Sequence, residues 1–86
     1  MKYYLVKLKT RSGEYEFETD YLIEREDNLD IDKEADEIAA TWYGGRRGEK
    51  YPENKGYYFN GGEIYVEVES VRELNYPFYT ILKEYL

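Results

Sequence analysis

Two alternating stretches, separated by a short turn, constrain this chain more than any other feature. In residues 2–10, KYYLVKLKT, Tyr4, Val6 and Leu8 fall on one side, with Lys7 and Lys9 on the other. In residues 14–24, EYEFETDYLIE, Tyr15, Phe17, Thr19, Tyr21 and Ile23 share one face, and Glu14, Glu16, Glu18 and Asp20 share the other. A period of two is that of a strand with one buried and one wet face. Between them lies RSGE, where Gly13 is free to take a positive φ, so the two strands read as a hairpin. With Ser12 and Gly13 as the loop, Arg11 faces Glu14, Lys9 faces Glu16 and Lys7 faces Glu18. On the other face Leu8 meets Phe17 and Tyr4 meets Tyr21. A slip of one residue would bury lysines, so this register is strongly specified.

Residues 31–43 change period. Ile31, Ala35, Ile38, Ala39 and Trp42 form a stripe at helical spacing. Asp30 suits the N-cap, Asp32 and Glu34 suit the first turn, and Gly44-Gly45 suits the stop. Residues 44–56, GGRRGEKYPENKG, read as a loop and form the one clearly basic segment. Residues 57–74 read as a second hairpin around Asn60-Gly61-Gly62. Ile64, Val66 and Val68 face inward, and Glu63, Tyr65, Glu67 and Glu69 face outward. Loops centred on N-G and on G-G differ by a two-residue shift that alternation does not separate. Pro77 fits the first turn of a closing helix with Phe78, Ile81, Leu82 and Tyr85 as its apolar side. The order β-β-α-β-β-α predicts an α+β fold, a four-stranded antiparallel sheet with its helices on one face, as a single domain over residues 1–86.

The chain has no histidine and no cysteine among its 86 residues. Ser-His and Cys-His pairs and the usual zinc sites are therefore absent, and neither an enzyme, a cofactor nor a metal is expected. Asp30, Asp32, Glu34 and Asp36 have the opening spacing of an EF-hand loop, but Ala35 stands at the glycine position and Thr41 at the closing glutamate position. GGRRG with Lys50 and Lys55 has the composition of an anion site but not the Walker spacing, and reads as a surface loop. Lysines at 2, 7 and 9 interrupt any signal-like apolar segment, and no apolar run reaches the length of a membrane span. A cytoplasmic protein without a membrane partner is expected.

The net charge is −7. It opposes direct contact with nucleic acid and favours a basic protein partner. Most of it lies in one place. Residues 24–37, EREDNLDIDKEADE, hold eight carboxylates against Arg25 and Lys33. Dipole and capping preferences account for two or three of them. Glu14, Glu16 and Glu18 recur about every 6.8 Å, of the order of the phosphate spacing in nucleic acid. The hairpin register assigns those three to cross-strand lysines and arginine, whereas residues 24–37 have no local compensation. The chain also has twelve tyrosines, a residue enriched at interfaces. Tyr3, Tyr58 and Tyr65 are predicted on the sheet face away from the helix.

In size, charge and strand-rich composition, carried by EREDNLDIDKEADE and GGEIYVEVES, the chain resembles small acidic phage-encoded inhibitors of restriction and CRISPR systems. The resemblance implies a stoichiometric inhibitor that docks on the basic nucleic-acid-binding surface of a target protein, some such inhibitors imitating DNA. The residues expected to meet the partner are Glu24, Glu26, Asp27, Asp30, Asp32, Asp36, Glu37, Tyr58, Tyr65 and Glu67. Two other readings stand beside it. One is a cytosolic interaction module that forms a homodimer through a strand edge or the tyrosine face. The other is a small carboxylate-based enzyme.

Overall fold

In a computed structural model, described for residues 1–26, 30–44 and 46–85, the chain is an α+β domain. Its elements are β1 (Lys2–Ser12), β2 (Tyr15–Arg25), α1 (Ile31–Ala40), β3 (Glu49–Lys50), β4 (Tyr57–Phe59), β5 (Ile64–Leu74) and α2 (Tyr76–Tyr85). A single 3-10 turn, Asn60–Gly62, joins β4 to β5. The sheet order is β2-β1-β5-β4-β3 and every pairing is antiparallel. It has five strands, not the expected four. The fifth, β3, lies in the glycine-rich segment read as a loop. Gly48 and Gly56 there serve close approach rather than freedom. A Cβ on Gly48 would fall 2.8 Å from the Phe59 ring and 2.9 Å from the Tyr57 Cβ, and one on Gly56 would fall 2.5 Å from the Val66 carbonyl oxygen.

The first hairpin keeps its predicted faces but not its predicted register: the turn lies one residue later than Ser12-Gly13, which shifts every cross-strand pair by two. Ser12 pairs with Tyr15, so Gly13 and Glu14 form the loop. Gly13 has φ 61°. Two-residue hairpin loops favour glycine at the first loop position when one residue alone takes positive φ, and this register puts it there. Arg11 is consequently opposite Glu16, Lys9 opposite Glu18, Lys7 opposite Asp20, Leu8 opposite Thr19 and Tyr4 opposite Ile23. The second hairpin pairs Phe59 with Ile64, the register of the G-G choice, around a four-residue turn.

On the inner face Val6, Leu8, Thr10 and Val66 are fully buried, with Tyr4, Ile23, Tyr57 and Phe59 around them. Helix α1 closes this core through Ala35, Ala39 and Ala40, whose small side chains let it lie close to the sheet. Asp30 caps the helix as expected, its Oδ1 accepting from the Lys33 N–H at 3.3 Å. Trp42 follows the helix. It is half-buried and lies 6.3 Å from Phe17, which is itself 43% exposed.

The two helices lie on opposite faces, not on one. Lys7 pairs with Ser70 while Leu8 pairs with Val68, so Glu69 is an extra residue on β5. One extra residue reverses which face each later side chain takes. Val71 joins the inner core, and Leu74 lands opposite Tyr3 on the outer face. The chain therefore leaves β5 aimed at that face, where α2 settles. Tyr79 and Leu74 are buried there, and the Tyr3 ring lies 4.5 Å from Tyr79 and 5.3 Å from Tyr76. The predicted apolar side of α2 is corrected accordingly. Tyr79 makes the buried contact, while Phe78, Ile81 and Tyr85 are exposed.

Candidate functional site

The acidic segment that dominates the sequence is largely engaged with its own chain. Glu34 Oε1 accepts from Arg25 Nε at 3.0 Å and Nη2 at 2.8 Å. Glu37 accepts from Arg47 Nη1 at 2.6 Å, a contact that raises the arginine's affinity for its proton. Asp36 accepts from the Tyr57 hydroxyl at 2.5 Å. Burial, then the bond to Asp36, pushes the Tyr57 hydroxyl up to about 12. Asp30 is occupied as the cap. Glu24 leaves the group altogether: it is paired opposite Tyr3 and projects to the α2 side of the sheet. Glu26 and Asp32 are exposed without a salt bridge. Asp27 lies outside the described residues. The compensating groups are near at hand only in space. Arg25 and Glu34 are nine residues apart, Glu37 and Arg47 ten, and Asp36 and Tyr57 twenty-one.

The acids of β2 present the opposite case. Strand β2 is an edge of the sheet. Glu16, Glu18 and Asp20 are exposed in a row along its outer face. Of the cross-strand ion pairs that the hairpin invites, one forms within bonding range, Lys7 Nζ to Glu18 at 3.4 Å. It is diagonal, since Lys7 is directly opposite Asp20. Arg11 turns away from Glu16 and lies over the Tyr65 ring, 5.6 Å from its centroid. Glu69, the extra residue of the bulge, lies beside Glu18. Its carboxyl and Lys7 hold the Glu18 carboxyl below its ordinary range, and the Glu18 carboxyl with partial desolvation holds Glu69 above it. The two carboxyls border a depression of about 330 Å³ with Lys9, Glu16 and Phe17. Both are solvent-exposed, so this pair lacks the dry surroundings that make a carboxyl an effective general acid.

Beyond β5 the outer face becomes aromatic. Tyr51 lies 5.4 Å from Tyr58, and Tyr58 4.8 Å from Tyr65, between ring centroids. The Tyr65 hydroxyl donates to Glu67 at 3.1 Å and accepts from the Gly56 N–H at 3.1 Å. The Tyr51 hydroxyl donates to Glu49 at 2.8 Å. Tyr58, Tyr65 and Glu67 thus share a face as expected, with Tyr51 as an unforeseen third ring. Tyr3 does not belong to this surface, because α2 covers it. The signal for Tyr51 was its position beside β3, which sequence patterning did not reveal.

Across the sheet, the outer face reads Glu16, Arg11, Tyr65, Tyr58 and Glu49 from edge to edge, with Glu18, Lys9 and Glu67 in the next row. Among the described residues, no group of three or more carboxylates is arranged to hold a metal ion, and no helix is long and apolar enough to cross a membrane. No protein-family model matches the chain, and neither curated proteins nor solved structures give a significant match.

Proposed function

We propose that the protein is a non-enzymatic acidic binding protein. It docks on a lysine- and arginine-rich protein surface of the kind that holds nucleic acid, and blocks that surface stoichiometrically. The observation that carries this reading is the row Glu16, Glu18 and Asp20 on an open sheet edge, with one ion pair among the three. Their strand spacing, about 6.8 Å, is near that of successive phosphates. Carboxylates concentrated on one edge steer a basic partner and select against acidic ones. The tyrosine ladder beside them supplies rigid contact area at low entropic cost.

This reading moves the docking surface away from residues 24–37. Glu34, Asp36 and Glu37 stabilise the contact of α1 with its neighbours and are not free for a partner. Glu26 and Asp32 remain available as a secondary patch.

The test is competition. A basic nucleic-acid-binding protein captured from cell extract on the immobilised chain should be released by a DNA or RNA duplex and by raising salt from about 0.1 M to 1 M, over which the Debye length falls from about 10 to 3 Å. A captured partner that holds its nucleic acid and this protein at once, insensitive to salt, would overturn the proposal.

A further inference from the structure

Resting on that reading, we infer that β2 is a strand-addition edge whose occupant is an extended basic segment of the partner. The occupant carries lysine or arginine at every second position and apolar residues between. Three observations lead to it. First, β2 runs eleven residues, Tyr15–Arg25, at the end of the sheet, with β1 on one side and, among the described residues, no strand on the other. An edge of this length offers a row of backbone donors and acceptors for another strand.

Second, its two faces ask for different side chains. The outer face offers Glu16, Glu18 and Asp20. The inner face offers Tyr15, 79% exposed, and Phe17, 43% exposed, where the sheet runs out beyond α1. Phe17 continues into Trp42 at 6.3 Å, and Tyr43, 6.4 Å beyond that, leads across the sheet to Phe59 of β4 at 6.2 Å, so Phe17 is the edge end of an aromatic line. An added strand with period-two alternation would set its cations against the acids and its apolar residues against Tyr15 and Phe17.

Third, the same acids oppose a second copy of this chain. Pairing β2 with itself about Asp20, with faces kept, sets Asp20 against Asp20 and Glu16 against Glu24. About Glu18 it sets Glu18 against Glu18 and Glu16 against Asp20. About Thr19 it sets Glu18 against Asp20. Like charges directly opposite are destabilising. The edge is closed to itself and open to a strand of opposite charge.

The experiment uses the intact chain and four synthetic eleven-residue peptides of three kinds. One alternates lysine with valine and isoleucine, one has the same composition with the lysines grouped, and one repeats the alternating sequence with N-methyl groups at every second backbone nitrogen, made in both phases. The alternating peptide is expected to bind at least about tenfold more tightly than the grouped one. One phase of N-methylation should abolish binding and the other should retain it, because alternate N–H groups point to opposite edges. Slowed amide exchange should appear in β2 and not around Tyr58. Glu16→Gln with Asp20→Asn should weaken the alternating peptide. Equal binding of alternating and grouped peptides, indifference to both methylation phases, or binding of neither peptide would overturn strand addition. The competition experiment above, made with a folded basic protein, would still decide the acidic-docking reading by itself. A dimer of the free chain in sedimentation, joined through β2, would also overturn it.

Discussion

Two acidic regions of this molecule have similar composition and opposite fates. Residues 24–37 are denser in carboxylates, yet Asp36 and Glu37 meet donors supplied by other parts of the chain and Glu34 meets Arg25 of the same segment. The β2 row is sparser and has three cations on the neighbouring strand, yet one ion pair forms. The difference is geometric. The helix lies over the sheet, where Arg25 of β2, Tyr57 of β4 and Arg47 of the connection after the helix converge on it. The strand ends at solvent, and long side chains on a wet surface gain little from holding an ion pair. Charge density in a sequence therefore does not measure charge available to a partner.

The sharpest way to break this comparison is to neutralise each set without changing its shape. Glu16→Gln, Glu18→Gln and Asp20→Asn together should lower affinity for the basic partner by about a hundredfold at low salt. Glu26→Gln with Asp32→Asn should leave it within about twofold, since scattered rim charges contribute little. Titration calorimetry on both variants would decide. The reverse ranking would return the docking surface to the helix.

Next in size is the effect of removing an internal donor. Tyr57→Phe leaves the half-buried Asp36 carboxylate without its hydroxyl, and should cost about 1–3 kcal/mol in denaturant unfolding with partner affinity unchanged. A Tyr57→Phe variant as stable as the parent would show that the helix acids are less committed to the fold than their geometry implies.

The same contact gives a pH signature. The folded Tyr57 hydroxyl has its pKa raised from 10.0 to about 12. Its contribution is fully present below pH 10 and is lost as pH rises from there towards 12. Thermal melts should fall through that window, and Tyr57→Phe should flatten the fall. Tyr3, Tyr51 and Tyr65, also raised, would leave part of the slope in place.

The smallest expected effect is at Arg47. Its pair with Glu37 is short but both side chains are more than half exposed, 59% and 53%. Arg47→Ala should move the melting temperature no further than replicate melts scatter. It should instead expose the Glu37 charge and slightly strengthen salt-dependent binding of a basic peptide. Unchanged binding would indicate that helix charge, even when freed, does not reach the partner.

How much of this was legible beforehand follows from the range of each interaction. The faces of β1 and β2, the Asp30 cap and the inward row Ile64, Val66 and Val68 depend on neighbours within a turn or a strand, and periodicity carries them. The hairpin register did not, because a shift of two keeps every face, and the preference of the loop for glycine in its first position decided it. The freedom of the helix acids was misread because Arg47 and Tyr57 are distant in sequence. Tyr58, Tyr65 and Glu67 were placed together correctly, since alternation alone puts them on one face.

The amino-acid order by itself determined an antiparallel α+β domain, which face of β1, of β2 and of the first half of β5 turns inward, and where α1 begins. The tertiary structure alone decided that Glu69 is an extra residue, that Leu74 and α2 consequently belong to the face opposite α1, and that Glu34, Asp36 and Glu37 of the helix meet donors while one of the three acids on the edge strand, Glu18, is ion-paired. Period and capping are properties of neighbouring residues. A bulge, an edge and a salt bridge exist only between segments, once the chain has brought them together.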